Sequence, residues 1–267
     1  MIETQGIVHF TIAVSDINDA PVLDNSADMT LSAIGEDDNS SAGDLVSAVI
    51  ASAGGDRITD VDSGDSEGIA VSSVDNTNGT WEYSMDGGTT WLAFAAPSAA
   101  TARLLAATAK IRLVPNANFN GAIANGLSFQ AWDGSGSGTA GGTADASTGG
   151  GSTAFSSASE SVSITVNAAN DAPLLDNTGD MILTAIDEDT VNPAGDLVSA
   201  VIASAGGDRI ADVDNGAVEG IAVTAVDNSN GEWQYSNDAG TTWTPFASPS
   251  DAAAHLLLPD ANTMVRF

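Results

Sequence analysis

The segment AGDLVSAVIASAGGDRI at Ala42–Ile58 returns letter for letter at Ala194–Ile210, 152 residues further along. The same spacing carries Asp19 onto Asp171, Asp60 onto Asp212, Glu67 onto Glu219, Trp81 onto Trp233 and Trp91 onto Trp243. An internal repeat of this kind means that one structural unit is encoded more than once, so any fold assigned to the first copy must also suit the second.

The register divides the chain. Thr11–Val14 falls on Ser163–Val166, so residues 1–17 read as the last strand of a preceding copy. Residues 18–169 then form a complete repeat and 170–267 a second, C-terminally incomplete one. MVRF at its end is similar to KIRL at Lys110–Leu113 after a two-residue insertion, and counterparts of Val114–Val166 are missing. The expectation is a piece of a longer array, because a sheet without its closing strands exposes an unpaired edge and part of its core.

Alternating apolar residues point to strands. VHFTIAV places Val8, Phe10, Ile12 and Val14 on one face, and SVSITVN does the same with Val162, Ile164 and Val166. Further strands are expected at Met29–Ile34, Leu45–Ala51, Gly68–Val74, Thr80–Ser84, Trp91–Phe94, Lys110–Val114 and Leu127–Trp132, separated by turns such as Asn78-Gly79, Gly87-Gly88 and Asn120-Gly121. Leu45–Ala53 also suits a short helix, being rich in Ala and Leu. About seven or eight short strands per unit suggest an all-β fold of tandem antiparallel sandwiches, Ig-like in architecture. The stretch 134–153, nearly all Gly, Ser, Thr and Ala, has little to bury and reads as a flexible loop.

Charge and composition narrow the function. Six Lys and Arg against 36 Asp and Glu give a formal charge of −30, which repels nucleic acid and anionic membrane and favours cations. Cysteine is absent, which excludes disulfide staples and thiol chemistry. The start, MIETQGIVHFTIAV, lacks the basic and apolar regions of a signal peptide, and no apolar run is long enough to span a bilayer.

DINDAP at Asp16–Pro21 and AANDAP at Ala168–Pro173 mark the entry to each repeat. Carboxylates, Asn side chains and backbone carbonyls are the hard oxygen ligands that calcium takes six to eight at a time, and proline keeps the entering chain extended. DINDAP resembles the interdomain linker of cadherins, and ITVNAANDAP that of the cadherin-like repeats in giant bacterial surface adhesins. The likeness continues in AWDG at Ala131–Gly134, in the Asp-x-Asp pairs of DVDSG and DVDNG at Asp60–Gly64 and Asp212–Gly216, and in Glu36 and Glu188 near the first strand.

That resemblance implies Ca²⁺ at two joints. One gathers Glu36 and Asp133 from the first unit, Asn170 and Asp171 from the linker and Asp212 and Asp214 from the second unit. The other uses Asp16, Asn18 and Asp19 with Asp60 and Asp62. Ala168 stands where the first linker has Asp16, and the Asp-Arg-Glu segment of cadherins is absent, VPNANFNG at Val114–Gly121 lying in that region; both departures imply fewer or weaker sites. The bland alternative for Asp60, Asp62, Asp212 and Asp214 is turn formation through bonds to their own backbone.

SMDGGTTW at Ser84–Trp91 and SNDAGTTW at Ser236–Trp243 fit the Asp-box pattern, a hairpin turn in which Asp86 or Asp238 accepts backbone N–H bonds and Gly88 or Gly240 adopts positive φ. Asp boxes occur in sialidase-like propellers, but two boxes one repeat apart belong to two units and not to successive blades. With His9 and His255 in unrelated contexts and no acid set apart from the repeated ones, no enzyme is expected. The expected role is a Ca²⁺-stiffened spacer in an extracellular adhesin at the bacterial surface, its immediate partners being neighbouring repeats, with cell-surface glycan or protein engaged through other domains. A carbohydrate-binding sandwich using Trp81, Trp91 and Trp132 is the alternative.

Overall fold

The computed structural model describes residues 9–62, 64, 67–136 and 138–267. Strand accounts for 33% of the residues and helix for 6%, which makes the chain all-β. It divides into two compact units, the first ending at Ala169 and the second running Asn170–Phe267.

In the first unit the alternation of the sequence becomes alternation of burial. Along Lys110–Pro115, Ile111, Leu113 and Pro115 are buried while Lys110, Arg112 and Val114 are half-exposed. This strand pairs with Gly79–Ser84 in a four-stranded sheet completed by Asp44–Leu45 and Leu92–Ala93. A larger sheet runs in the order Thr143–Ala144, Ala102–Ala106, Gly68–Val74, Gly121–Trp132, Phe155–Asn167, Met29–Thr30. One hydrophobic cluster draws on both, with Val71, Phe129 and Val162 from the larger sheet and Trp81, Tyr83, Ile111 and Leu113 from the smaller. Two sheets that share a core in this way bury their facing sides against each other.

Several expected elements change. Leu45–Ala51 is a strand only at its start, and Val46–Ser52 is a helix that buries Val46, Val49 and Ile50. A strand would have turned Val49 away from Val46 and Ile50, whereas helical spacing puts all three on one face. Met29–Ile34 resolves into two short pieces, Met29–Thr30 and Ile34–Gly35, both parallel to Phe155–Asn167. The strand Ala102–Ala106 was not expected: ARLLA shows no period-2 pattern because Leu104 and Leu105 are both buried, one in each of two clusters.

The Gly/Ser-rich stretch is not an idle loop. Thr143–Ala144 pairs with Ala102–Arg103, Arg103 Nη1 donates to the Gly141 carbonyl at 2.6 Å, and Ala146 is buried with Trp132, Phe155 and Leu104. Small residues allow the chain to lie close over that second cluster, which composition alone had hidden. At the other extreme, the strand expected at Val8–Val14 does not form over the described residues 9–14, and Phe10, Ile12 and Val14 are exposed. Val8 lies outside the described residues. Period-2 alternation gives a strand only where a neighbouring strand accepts its backbone bonds.

The second unit repeats the local structure of the first. Its four-stranded sheet, Asp196–Leu197, Met264–Arg266, Gln234–Ser236, Thr244–Pro245, follows the order seen in the first unit. Its helix, Val198–Ala203, buries Val198 and Ile202. Polar contacts recur at the same offset: Arg57–Asp24 and Arg209–Asp176 both pair at 2.6 Å, and the N–H groups of Ser32 and Thr184 donate to Asp44 and Asp196, each at 2.8 Å.

Candidate metal centre

Asn18 is the hub of the first linker. Its side-chain amide donates to the Asp19 carbonyl at 3.0 Å, to Asp133 Oδ2 at 3.1 Å and to the Thr153 carbonyl at 3.2 Å. The Asp19 N–H donates to Asp62 Oδ2 at 2.7 Å, and the Asp62 N–H donates to Asp60 Oδ1 at 2.9 Å. An Asx turn at Asp60 thus aims Asp62 at the linker, so turn formation and linker contact coexist in one motif.

The remaining oxygen, Asp60 Oδ2, is buried and accepts no hydrogen bond. An unpaired buried carboxylate oxygen beside further acids is costly unless a cation balances it. Asp133, itself buried, uses Oδ1 to accept from the Ser135 N–H at 2.7 Å. Within this unit no three acidic side chains among the described residues yet bring ligand oxygens within 4.8 Å of one another. The acids are held by linker amides, and an ion would have to draw them together.

Asp133 does not join Glu36. The strand Gly121–Trp132 is 12 residues long and separates the two groups, a distance of roughly 40 Å at about 3.4 Å per residue. At its start, Glu36 Oε2 accepts from Asn120 Nδ2 at 2.9 Å, and Oε1 from the Ala169 N–H at 2.5 Å. At its end, Asp133 meets Asn18. The expected grouping of Glu36 with Asp133 is therefore corrected: opposite ends of one strand serve opposite ends of the unit.

Glu36 is buried, and its carboxyl is held below the ordinary carboxylate range by the Asn120 amide first and the Ala169 N–H second. Asn120 was read only as part of an Asn-Gly turn; nothing local in the sequence tied it to an acid 84 residues away.

In the second unit the frame recurs. Asn170 Nδ2 donates to the Asp171 carbonyl at 2.8 Å, the Asp171 N–H donates to Asp214 Oδ2 at 2.9 Å, and the Asp214 N–H to Asp212 Oδ1 at 2.9 Å. Asp16 and Glu188 do not take part: both are exposed and hold no hydrogen bond among the described residues. Glu188 occupies the position of buried Glu36 in the repeat, but no Asn120 or Ala169 counterpart is present among residues 170–267 to hold it.

Two of the three tryptophans considered for glycan binding belong to the core. Trp81 is fully buried in the cluster between the two sheets, and Trp132 nearly so in the second cluster with Leu104, Ala146 and Phe155. Trp91 is half-buried under the Arg112 guanidinium, 4.1 Å from the ring centre, and donates Nε1–H to the Gly88 carbonyl at 3.1 Å. The hairpins take the form expected: Asp86 Oδ1 accepts from Ser84 Oγ, from the Thr89 N–H and from the Thr90 N–H, and Gly88 has φ +98°. No family model, curated protein or solved structure matches this chain.

Proposed function

We propose that the chain is a tandem pair of cadherin-like β-sandwich repeats whose linkers bind Ca²⁺, serving as a stiffened spacer in an extracellular bacterial adhesin. The buried, unpartnered Asp60 Oδ2 carries this reading, since it sits in a chain of acids hydrogen-bonded to the Asn18-Asp19 linker and has no other use within the fold. Recurrence of the linker frame at Asn170-Asp171 with Asp212 and Asp214 supports a role built into each repeat.

Asp60, Asp62, Asp19 and Asp133 would supply carboxylates at the first linker, and Asp171, Asp212 and Asp214 at the second. The ion would neutralise clustered charge and fix the linker to the sandwich that follows it. With so acidic a chain, folding couples to the ion: whatever binds only the folded state stabilises it. With these departures from a full ligand set, the expected affinity is about 10⁻⁴–10⁻³ M, the range of extracellular modules.

Calorimetric titration of Ca²⁺ into chelator-treated protein, with the melting temperature followed in parallel, tests this reading. Saturable binding with a rise in melting temperature is the expected result. A melting temperature unmoved by calcium would leave the linkers as proline-set turns.

A further inference from the structure

Ala70, Leu104 and Trp132 belong to the second cluster, while their chain neighbours Ile69, Val71, Leu105 and Ala131 belong to the first. Successive strand residues point to opposite faces, so the second cluster lies on the side of the larger sheet turned away from the smaller one. Gly138–Thr153 covers that side. The Leu104 N–H donates to the Gly142 carbonyl at 3.0 Å, the Gly141 N–H to the Leu104 carbonyl at 2.8 Å and the Ala146 N–H to the Ala99 carbonyl at 2.7 Å. A Cβ at Gly138 would overlap Leu104, so the chain rests directly on that side chain.

The cover is weakly held where it lies. Six of its 16 residues are glycine, which loses more freedom on ordering than any other residue, and Ala146 is its one buried side chain. Closure also leaves Trp132 Nε1 buried with no acceptor, a cost that opening to water relieves. The firmer fastening is to the entry linker. The Ala20 N–H donates to the Gly151 carbonyl at 2.8 Å, and the Asn18 amide spans the neck of the segment, from Asp133 Oδ2 at 3.1 Å to the Thr153 carbonyl at 3.2 Å. With the Asp19 carbonyl at 3.0 Å, three oxygens surround a nitrogen that carries two hydrogens, so one of them always lacks a donor.

We propose that Gly138–Thr153 is a strap whose closure is set by the entry linker. Asn18 and Ala20 hold it shut, and release of the linker uncovers the apolar side chains of Leu104, Trp132 and Phe155. A divalent cation drawn to the oxygens around Asn18 closes the strap as it fixes the linker; this arm rests on the calcium reading of the first linker, whereas the fastening by Asn18 and Ala20 does not. Coupling of this kind is mutual, so lifting the strap loosens the linker by the same factor.

Amide hydrogen exchange on the full chain tests the strap. In chelator, Asn18→Ala should speed exchange at Gly141 and Ala146 about tenfold or more, while Phe129 within the larger sheet keeps the parent rate. Ala146→Asp, which puts a charge into the second cluster, should speed exchange at Ala20 by a similar factor. Calcium added to the parent chain should slow Gly141 and Ala146. The proposal falls if Asn18→Ala leaves Gly141 and Ala146 at the parent rate, if it speeds Phe129 equally, if Ala146→Asp leaves Ala20 unchanged, or if calcium binds the first linker without slowing the strap. Absence of any calcium binding would overturn the ion arm alone, and the two variants in chelator would still decide the fastening.

Discussion

Asn18 and Asp133 are 115 residues apart in sequence and joined by a 3.1 Å hydrogen bond, which ties the entry linker of the first unit to the far end of the 12-residue strand Gly121–Trp132. The contact places Asp133 with the linker that precedes its unit, so its effect should be felt there alone. Asp133→Ala is expected to cost about 1–3 kcal/mol in chelator, from the lost bonds to Asn18 and Ser135, and to reduce the calcium-dependent stabilisation of the first unit. Protection of the second unit, read by hydrogen exchange at Ile210–Ala211, should be unchanged.

Asp60→Asn separates a metal ligand from a structural turn by the sign of its effect. The amide keeps an oxygen to accept the Asp62 N–H and replaces the one buried carboxylate oxygen among the described residues that accepts no hydrogen bond. Without calcium the variant should melt at the same temperature as the parent or higher. With calcium it should bind about tenfold more weakly, which corresponds to about 1.4 kcal/mol. A variant that is less stable in chelator and unchanged in calcium affinity would make Asp60 a turn residue only.

Acid should loosen the Asp-box hairpins within a defined window. The Asp86 and Asp238 carboxyls are each held at about 2, below the ordinary 3.8. The main cause at Asp86 is the Thr90 N–H, and at Asp238 the Thr242 hydroxyl. A depressed folded-state value means that stability is present above pH about 4 and lost as pH falls toward about 2. Asp86→Asn should flatten the dependence of melting temperature on pH across that window and leave the pH 7 to 5 range unaltered.

Equivalent tryptophans should differ in cost. Trp81→Ala removes a fully buried indole that donates Nε1–H to the Asp75 carbonyl at 3.1 Å, and should destabilise the first unit by about 3–5 kcal/mol. Trp233→Ala removes a partly exposed ring packed on Phe267 at 5.2 Å between centroids, and should cost roughly half as much or less. Urea unfolding followed by hydrogen exchange assigns each loss to its unit.

The repeat, the strands Gly68–Val74, Gly79–Ser84 and Lys110–Pro115, the two hairpin turns and the acids of each Asp-x-Asp pair were legible in the sequence, because each depends on spacing within a few residues. Period-2 alternation fixes which face of Lys110–Pro115 turns inward, and Ser-x-Asp-x-Gly-x-Thr-Trp closes a turn with bonds no longer than four residues. Local chemistry also allowed a helix at Val46–Ser52, but choosing it over a strand required knowing that Val46, Val49 and Ile50 share one buried face.

Only the tertiary structure decided which acids meet. Asp133 and Glu36 are similar residues with equal claims in the sequence, and the direction of one strand sends them to opposite ends of the unit. The same holds for burial. Leu104 and Leu256 share a local sequence, Arg-Leu-Leu-Ala against His-Leu-Leu-Leu, yet one is enclosed by Trp132, Phe155 and Ala146 and the other faces solvent. Burial depends on what the rest of the chain lays over a residue, a non-local quantity that no window of sequence contains.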